Sequence, residues 1–325
     1  LKMVMNFDLI PRFHEPPYIS IICRDRDLQA AKDCFEAVEN AFKKLKRQKI
    51  TGSGKFMKTG KTFGWSDIVL PEEILSILRR NTVEILEKRE LFEKNGLPLK
   101  RGILLYGPPG NGKTLIGNIL ANTADANTVF VTARDIDNSS PCYSIMAVFA
   151  LARLISPSIV YFEDLDLIGG EERAGRSYRM ILGELLNQLD GVESNGGVIT
   201  IATTNNIEVL DSALANRPGR FDVKLELANP AVETRANLFR KYLSKQTVAA
   251  DVDAEALARL TEGLSCASVR EVVQSALIVG VEKGSFNERE EIILTQENLE
   301  KSVEKLKPKT KTVGFSTGVA VAGKN

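Results

Sequence analysis

The stretch that most constrains this chain of 325 residues is Gly102–Ile119, GILLYGPPGNGKTLIGNI. An apolar run of strand length enters a turn rich in glycine and proline, and the residues beyond it have the apolar spacing of a helix. Gly107, Gly112, Lys113 and Thr114 occupy every fixed position of GxxxxGK[ST], in the strand-then-helix context that this motif requires. Glycines at 107, 110 and 112 let the backbone curl, so that successive N–H groups face an anion at the positive end of the following helix. Pro108, Pro109, Asn111 and Leu115 complete the loop. Lys113 supplies a charge for the outer phosphates of a nucleotide, and the Thr114 hydroxyl suits a magnesium ion bridging them. The segment reads as a P-loop, with ATP or ADP and Mg2+ as its cofactors.

Composition narrows what surrounds that loop. The length exceeds what one core usually supports, so more than one domain is expected. A formal net charge of +1 gives no global field for nucleic acid or an anionic membrane. Cys23, Cys34, Cys142 and Cys266 form no CxxC pair, and His14 is the single histidine, which argues against a zinc site or a disulfide framework. Scattered thiols point to a reducing cytoplasm. No apolar run approaches the roughly 18 residues of a membrane span, and the start has no signal-peptide pattern.

In chain order, Tyr18–Cys23 reads as a short strand and 27–47 as an amphipathic helix. The basic end of that helix, Lys43–Lys49, is either a solvated helix end or a contact for an acidic partner or nucleic acid. Residues 1–50 are expected to bind a partner or adaptor, and 51–62, rich in Gly, Ser and Lys, to be a linker. Four apolar strands with helices between them follow, at 102–106, 128–132, 158–162 and 197–203. Such a pattern predicts an α/β fold, a doubly wound parallel sheet covered on both faces. Its ligands lie off the carboxyl ends of the strands, where Gly107, Glu163, Asp164 and Asn205 converge. Nucleotide binding is assigned to 63–230, a small helical domain to 231–306, and a tail without periodicity to 307–325.

GPPGNGKT, YFEDLD, LLNQLDG at 185–191, IATTNN at 201–206 and LANRPGRFD at 214–222 together resemble the AAA family of AAA+ ATPases, from Phe63 to Leu306. The resemblance implies an ATP-driven ring, usually a hexamer, with active sites between subunits and a helical lid after the α/β domain. It implies that Glu163 serves the metal and Asp164 activates water, the reverse of the family's usual Asp-Glu order, with Asp166 fixing the register. The same Glu-Asp order resembles relatives of the mitochondrial Rieske-protein translocase type. Asn205, with Thr204 beside it, falls where the family senses the terminal phosphate. Arg217 and Arg220 match the arginines that the family extends into a neighbouring subunit's site, with a local ion pair to Asp222 or Glu226 as the other reading. Asp67, Ile68 and Val69 resemble the segment that meets adenine, although the family's two glycines are Val69 and Leu70 here. Tyr143 is the one aromatic candidate for a pore loop, in a segment several residues short.

These readings lead to a magnesium-dependent ATPase that remodels, disassembles or moves a protein partner. A nucleotide-switched scaffold with slow turnover and a nucleic-acid motor or loader are the alternatives. Lys113→Ala should abolish nucleotide binding measured by calorimetry, because the phosphate charge converges on that side chain. An affinity within about a factor of two of the parent would overturn the P-loop reading.

Overall fold

The computed structural model describes residues 4–8, 18–22, 28–58, 60–137, 139–168, 176–190, 196–208 and 220–306. Near the start, strands β1 (Val4–Asp8) and β2 (Tyr18–Ile22) pair antiparallel, and helix α1 (Leu28–Lys43) follows. The central sheet has six parallel strands. From one edge they are β3 (Lys49–Thr51), β5 (Asn127–Val131), β6 (Ser158–Phe162), β7 (Val198–Thr204), β4 (Arg101–Tyr106) and β8 (Val223–Glu226). All four predicted strands are present within a residue or two of their expected ends. Both edge strands were missed. β3 buries only Ile50 and β8 only Leu225, so neither has the apolar run by which a buried parallel strand is recognised.

Alternate residues of the inner strands feed two cores. Val129, Val131, Val160 and Phe162 face helices α6 (Pro141–Leu154) and α7 (Arg176–Asp190), through residues such as Phe149 and Leu185. Phe130, Ile159 and Tyr161 face the other side, with α2 (Glu72–Asn81) and α5 (Lys113–Thr123). This two-sided burial is the expected doubly wound α/β architecture. Two short helices, α3 (Val83–Glu87) and α4 (Arg89–Lys94), lead from α2 into β4.

The boundary expected at 51–62 is corrected by the sheet. β3 is hydrogen-bonded along β5, Ile50 is buried, and Phe42 and Leu45 pack against the first core. Residues 51–57 turn back on β3, with Thr51 N donating to Lys55 O at 2.8 Å and Met57 N to Lys49 O at 2.8 Å. Glycine and serine here serve a tight turn rather than a linker, so the α/β unit begins before residue 50.

The chain divides into two compact units, 1–234 with 263–267, and 235–262 with 268–325. The predicted helical segment is thus interrupted, because its short stretch 263–267 belongs with the α/β unit. The second unit carries helices α8 (Val232–Leu243), α9 (Ala254–Leu260), α10 (Cys266–Glu282) and α11 (Gln296–Leu306) for most of their length. A short parallel ladder, β9 (Thr247–Val248) with β10 (Ile293–Leu294), was not foreseen. Asp253 caps α9 by accepting from Glu255 N and Ala256 N at 2.9 and 3.2 Å. The predicted tail, 307–325, lies outside the described residues.

Gly102 opens the strand that leads to the P-loop, and its missing Cβ matters. A Cβ there would sit 1.7 Å from the Arg220 carbonyl oxygen, a backbone atom that cannot rotate away. Gly183 in α7 has nothing within 4 Å of the same position. Gly102→Ala should therefore destabilise at the upper end of the roughly 1–3 kcal/mol of overpacking. Gly183→Ala should be neutral or stabilising by up to about 1 kcal/mol, through helix propensity. Urea denaturation of the two variants, compared with the parent, measures the contrast.

Candidate active site

The turn after β4 positions the first group of residues. Gly107, Gly110 and Gly112 have φ of 132, 83 and 90°, the left-handed side that glycine allows. Gly112 caps α5, so the positive end of that helix opens into the turn. Lys113 is 6% exposed, and its Nζ donates to the carbonyl oxygens of Gly107 and Pro108 at 2.6 and 2.9 Å. Burial pulls its pKa down, and the charges of Asp164 and Asp166 pull it back up. Beneath α5, the Tyr161 hydroxyl donates to Lys113 O at 2.5 Å.

Asn111 is 2% exposed, and its side chain turns away from the loop's concave face. Nδ2 donates to Leu227 O at 3.2 Å and to Asn229 Oδ1 at 2.9 Å, while Oδ1 accepts from Cys266 N at 3.1 Å. Ala267 N also donates to Gly110 O at 2.9 Å. The loop is thereby tied to the end of β8 and to the stretch 263–267. This brace could not be read from sequence, since Asn111, Asn229 and Cys266 are far apart along the chain.

The end of β6 supplies the acids. Thr114 Oγ1 donates to Glu163 Oε1 at 2.5 Å, which brings together the hydroxyl and the carboxylate expected to serve one metal. Asp164 has φ 48°, tolerated by Asp more readily than by most residues, and its N–H donates to Thr203 Oγ1 at 2.9 Å. Asn205 Nδ2 donates to Asp164 Oδ1 at 3.2 Å, so the proposed base and the proposed sensor are in contact. Asp166 is buried, and its Oδ1 accepts from Thr204 Oγ1 at 3.1 Å and from Asn205 N at 3.3 Å. Thr204 is fully buried in that bracing, which leaves Asn205 as the exposed member of the pair.

A cavity of about 250 Å3 joins these parts, lined by Pro109, Gly110, Gly112, Lys113, Thr114, Leu115, Asp164 and Asn205. Gly107, Pro108 and Asn111 shape the loop without lining it. Ile68 lies against the loop, its Cδ1 3.3 Å from where a Gly112 Cβ would sit. The Asp67 carboxylate accepts from Gly64 N at 2.9 Å and closes the single turn Trp65–Asp67. Val69 is half-buried beside them.

Arg220 does not pair with Asp222 or Glu226. Its Nε and Nη2 grip Asp190, at the end of α7, with contacts of 2.8–3.1 Å, and the residue is 9% exposed. This part-buried bidentate pair engages the guanidinium with an acid of its own chain that the sequence reading did not offer. Arg217 lies outside the described residues. Tyr143 sits in the first turn of α6, not on a loop.

A parallel α/β sheet whose P-loop meets paired carboxylates and an amide is the site of a P-loop nucleoside triphosphatase fold. Residues 103–229 match the family model described as the ATPase family associated with various cellular activities (AAA). The chain carries a AAA ATPase domain. It is 35% identical over 250 residues to the proteasome-activating nucleotidase of Archaeoglobus fulgidus, covering 74% of this chain and 61% of that protein. It is 37% identical over 205 residues to the cell division cycle protein 48 homolog of the same organism, covering 61% and 28%. With the ATP-dependent zinc metalloprotease FtsH 3 of Sphaerobacter thermophilus it shares 35% over 230 residues, covering 69% and 46%. The chain thus spans less than two thirds of these relatives.

Asp164 is held above the usual carboxylate range, first by burial and then by the charges of Asp166 and Glu163. Lys113 and the Asn205 amide oppose this. A base works deprotonated, so activity should fall as pH drops through that raised pKa, above the roughly 3.9 of a free aspartate. Asn205→Ala removes a hydrogen bond that favours the charged form, and should move the acid limb of the kcat–pH profile to still higher pH. A limb that stays put or moves down would remove Asp164 from the role of base.

Proposed function

We propose that this chain hydrolyses ATP with magnesium and, as a subunit of a ring, uses the cycle to remodel or move a protein partner. The observation that carries the reading is one cavity in which the P-loop, Asp164 and Asn205 meet. In this reading the loop amides and Lys113 hold the phosphates, and the ammonium exchanges its two carbonyl partners for phosphoryl oxygens. Thr114 and Glu163 would hold the magnesium ion, which offsets charge on the phosphates. The Asp164 carboxylate orients the attacking water and takes its proton, and Asn205 fixes the carboxylate and hydrogen-bonds the water or terminal phosphate.

Arg217 is the arginine we assign to a neighbouring subunit's site. A guanidinium stays charged and can bridge phosphoryl oxygens as charge develops. Arg220, paired with Asp190, instead supports the segment that carries it. Ile68 against Gly112 supports a nucleotide-side role for 67–69. Relatives named for activating the proteasome and for ATP-dependent proteolysis favour a protein partner over nucleic acid. Among the described residues, no helix is long and apolar enough to cross a membrane. Cys34, Cys142 and Cys266 form no disulfide among the described residues, in keeping with a cytoplasmic setting.

Mixing variants tests the shared site. Arg217→Ala alone should lose roughly a thousandfold or more in rate, with little loss of ATP affinity because the contact belongs to the transition state. Mixed with Lys113→Ala, it should recover part of the activity, since some interfaces then join an intact P-loop to an intact arginine. Phosphate release is measured at concentrations where light scattering shows rings. A mixture as inactive as either variant, with subunit exchange demonstrated, would return Arg217 to a structural role.

A further inference from the structure

The basic stretch after α1 lines a second cavity, at the amino ends of the strands, whereas the P-loop follows the carboxyl end of β4. This cavity measures about 340 Å3, and its walls are the segments that enter β4, β5, β6 and β7. Leu45, Leu86, Leu99, Ala126 and Pro157 supply an apolar floor. Among the described residues, Lys43, Lys46, Arg47 and Arg89 stand around it, against two acids, Glu93 and Asp125. Arg47 pairs with Asp125 at 3.3 Å, and Lys43 with Glu39 of its own helix at 3.6 Å. Lys46 and Arg89 have no carboxylate partner among the described residues.

The cavity is built rather than incidental. Asn127, 1% exposed, donates through Nδ2 to Leu45 O at 2.9 Å and Ile155 O at 2.7 Å, and accepts from Gln48 N at 3.0 Å. One buried amide thus pins the basic loop to the entrances of β5 and β6. The wall at Gly196 and Gly197 carries no side chain, and a Cβ on Gly197 would meet Ser156 Oγ at 2.4 Å.

The geometry points to this cavity as the docking site for an acidic peptide segment that inserts an apolar side chain between its carboxylates. Charge complementarity favours that occupant, since among the described residues two cations at the rim of a leucine-lined floor have no carboxylate partner. The volume accepts two or three side chains, at the small end of ligand sites. Among the described residues no aromatic ring lines the cavity to stack a base, and its cations are spread around the rim rather than gathered on a backbone nest. The site shares no residue with the nucleotide cavity, so an acidic partner could be held there through the ATP cycle.

The test is fluorescence anisotropy with the full chain and a fluorescein-labelled decapeptide of aspartate and glutamate carrying two leucines. Its controls are the same peptide with serine for leucine and an oligothymidylate of equal charge. Saturable binding of the leucine peptide is expected. Lys46→Glu with Arg89→Glu should weaken it at least tenfold, and the milder Lys46→Gln with Arg89→Gln at least threefold. Lys44→Glu with Lys88→Glu, an equal charge change off the rim, should cost less than threefold. Nucleotide affinity should be unchanged in all, which also reports that each variant is folded. No saturable binding, equal losses on and off the rim, or equal binding of the serine peptide or oligothymidylate would each overturn the proposal.

Discussion

A lysine ammonium that is almost wholly buried must find negative charge where it sits, and Lys113 dictates much of the surrounding architecture. Two loop carbonyls accept hydrogen bonds from it, and Asp164 and Asp166 offset part of its desolvation. That arrangement requires the loop to curl through three glycines with positive φ, and α5 to start where the curl ends. It also requires α5 to lie close on β6. A Cβ on Gly117 would come within 2.7–2.9 Å of the Tyr161 ring, whose hydroxyl bonds Lys113 O. The same strand then ends in Glu163 and Asp164, so one close helix–strand contact sets the distance between the phosphate seat and the acids.

Two buried asparagines do comparable work at opposite ends of the strands. Asn111 joins the P-loop to the end of β8 and to 263–267, and Asn127 joins the basic loop to the entrances of two strands. Each satisfies three hydrogen bonds to segments distant in sequence, which is how a buried amide avoids the cost of lost water contacts. The loops at both ends of the strands are braced by these two side chains. The carboxyl ends form the nucleotide cavity, and the amino ends the basic cavity with its leucine floor.

Some of this was open to reading along the chain. Continuous apolar runs at 102–106, 128–132, 158–162 and 197–203 betrayed strands buried on both faces, and the fixed positions of the P-loop identified its chemistry. The edge strands β3 and β8 were not legible, because a strand with a single buried residue has no periodicity to detect. For the same reason a tight turn onto β3 resembled a flexible linker. The partner of Arg220 was sought among the nearest acids, Asp222 and Glu226, yet it is Asp190, 30 positions away.

By itself, then, the sequence determined the α/β class, the phosphate loop and which residue types end the strands. Local rules decide those features: side-chain period, glycine's backbone freedom, and the short spacing of a motif. Only the tertiary structure decided that Thr114 meets Glu163, that Asn205 meets Asp164, and that Thr204 is spent on bracing Asp166. Only folding brought Lys46 and Arg89 to one cavity. Such contacts depend on strand order, and the order β3-β5-β6-β7-β4-β8 is set by packing between distant segments rather than by residues next to one another.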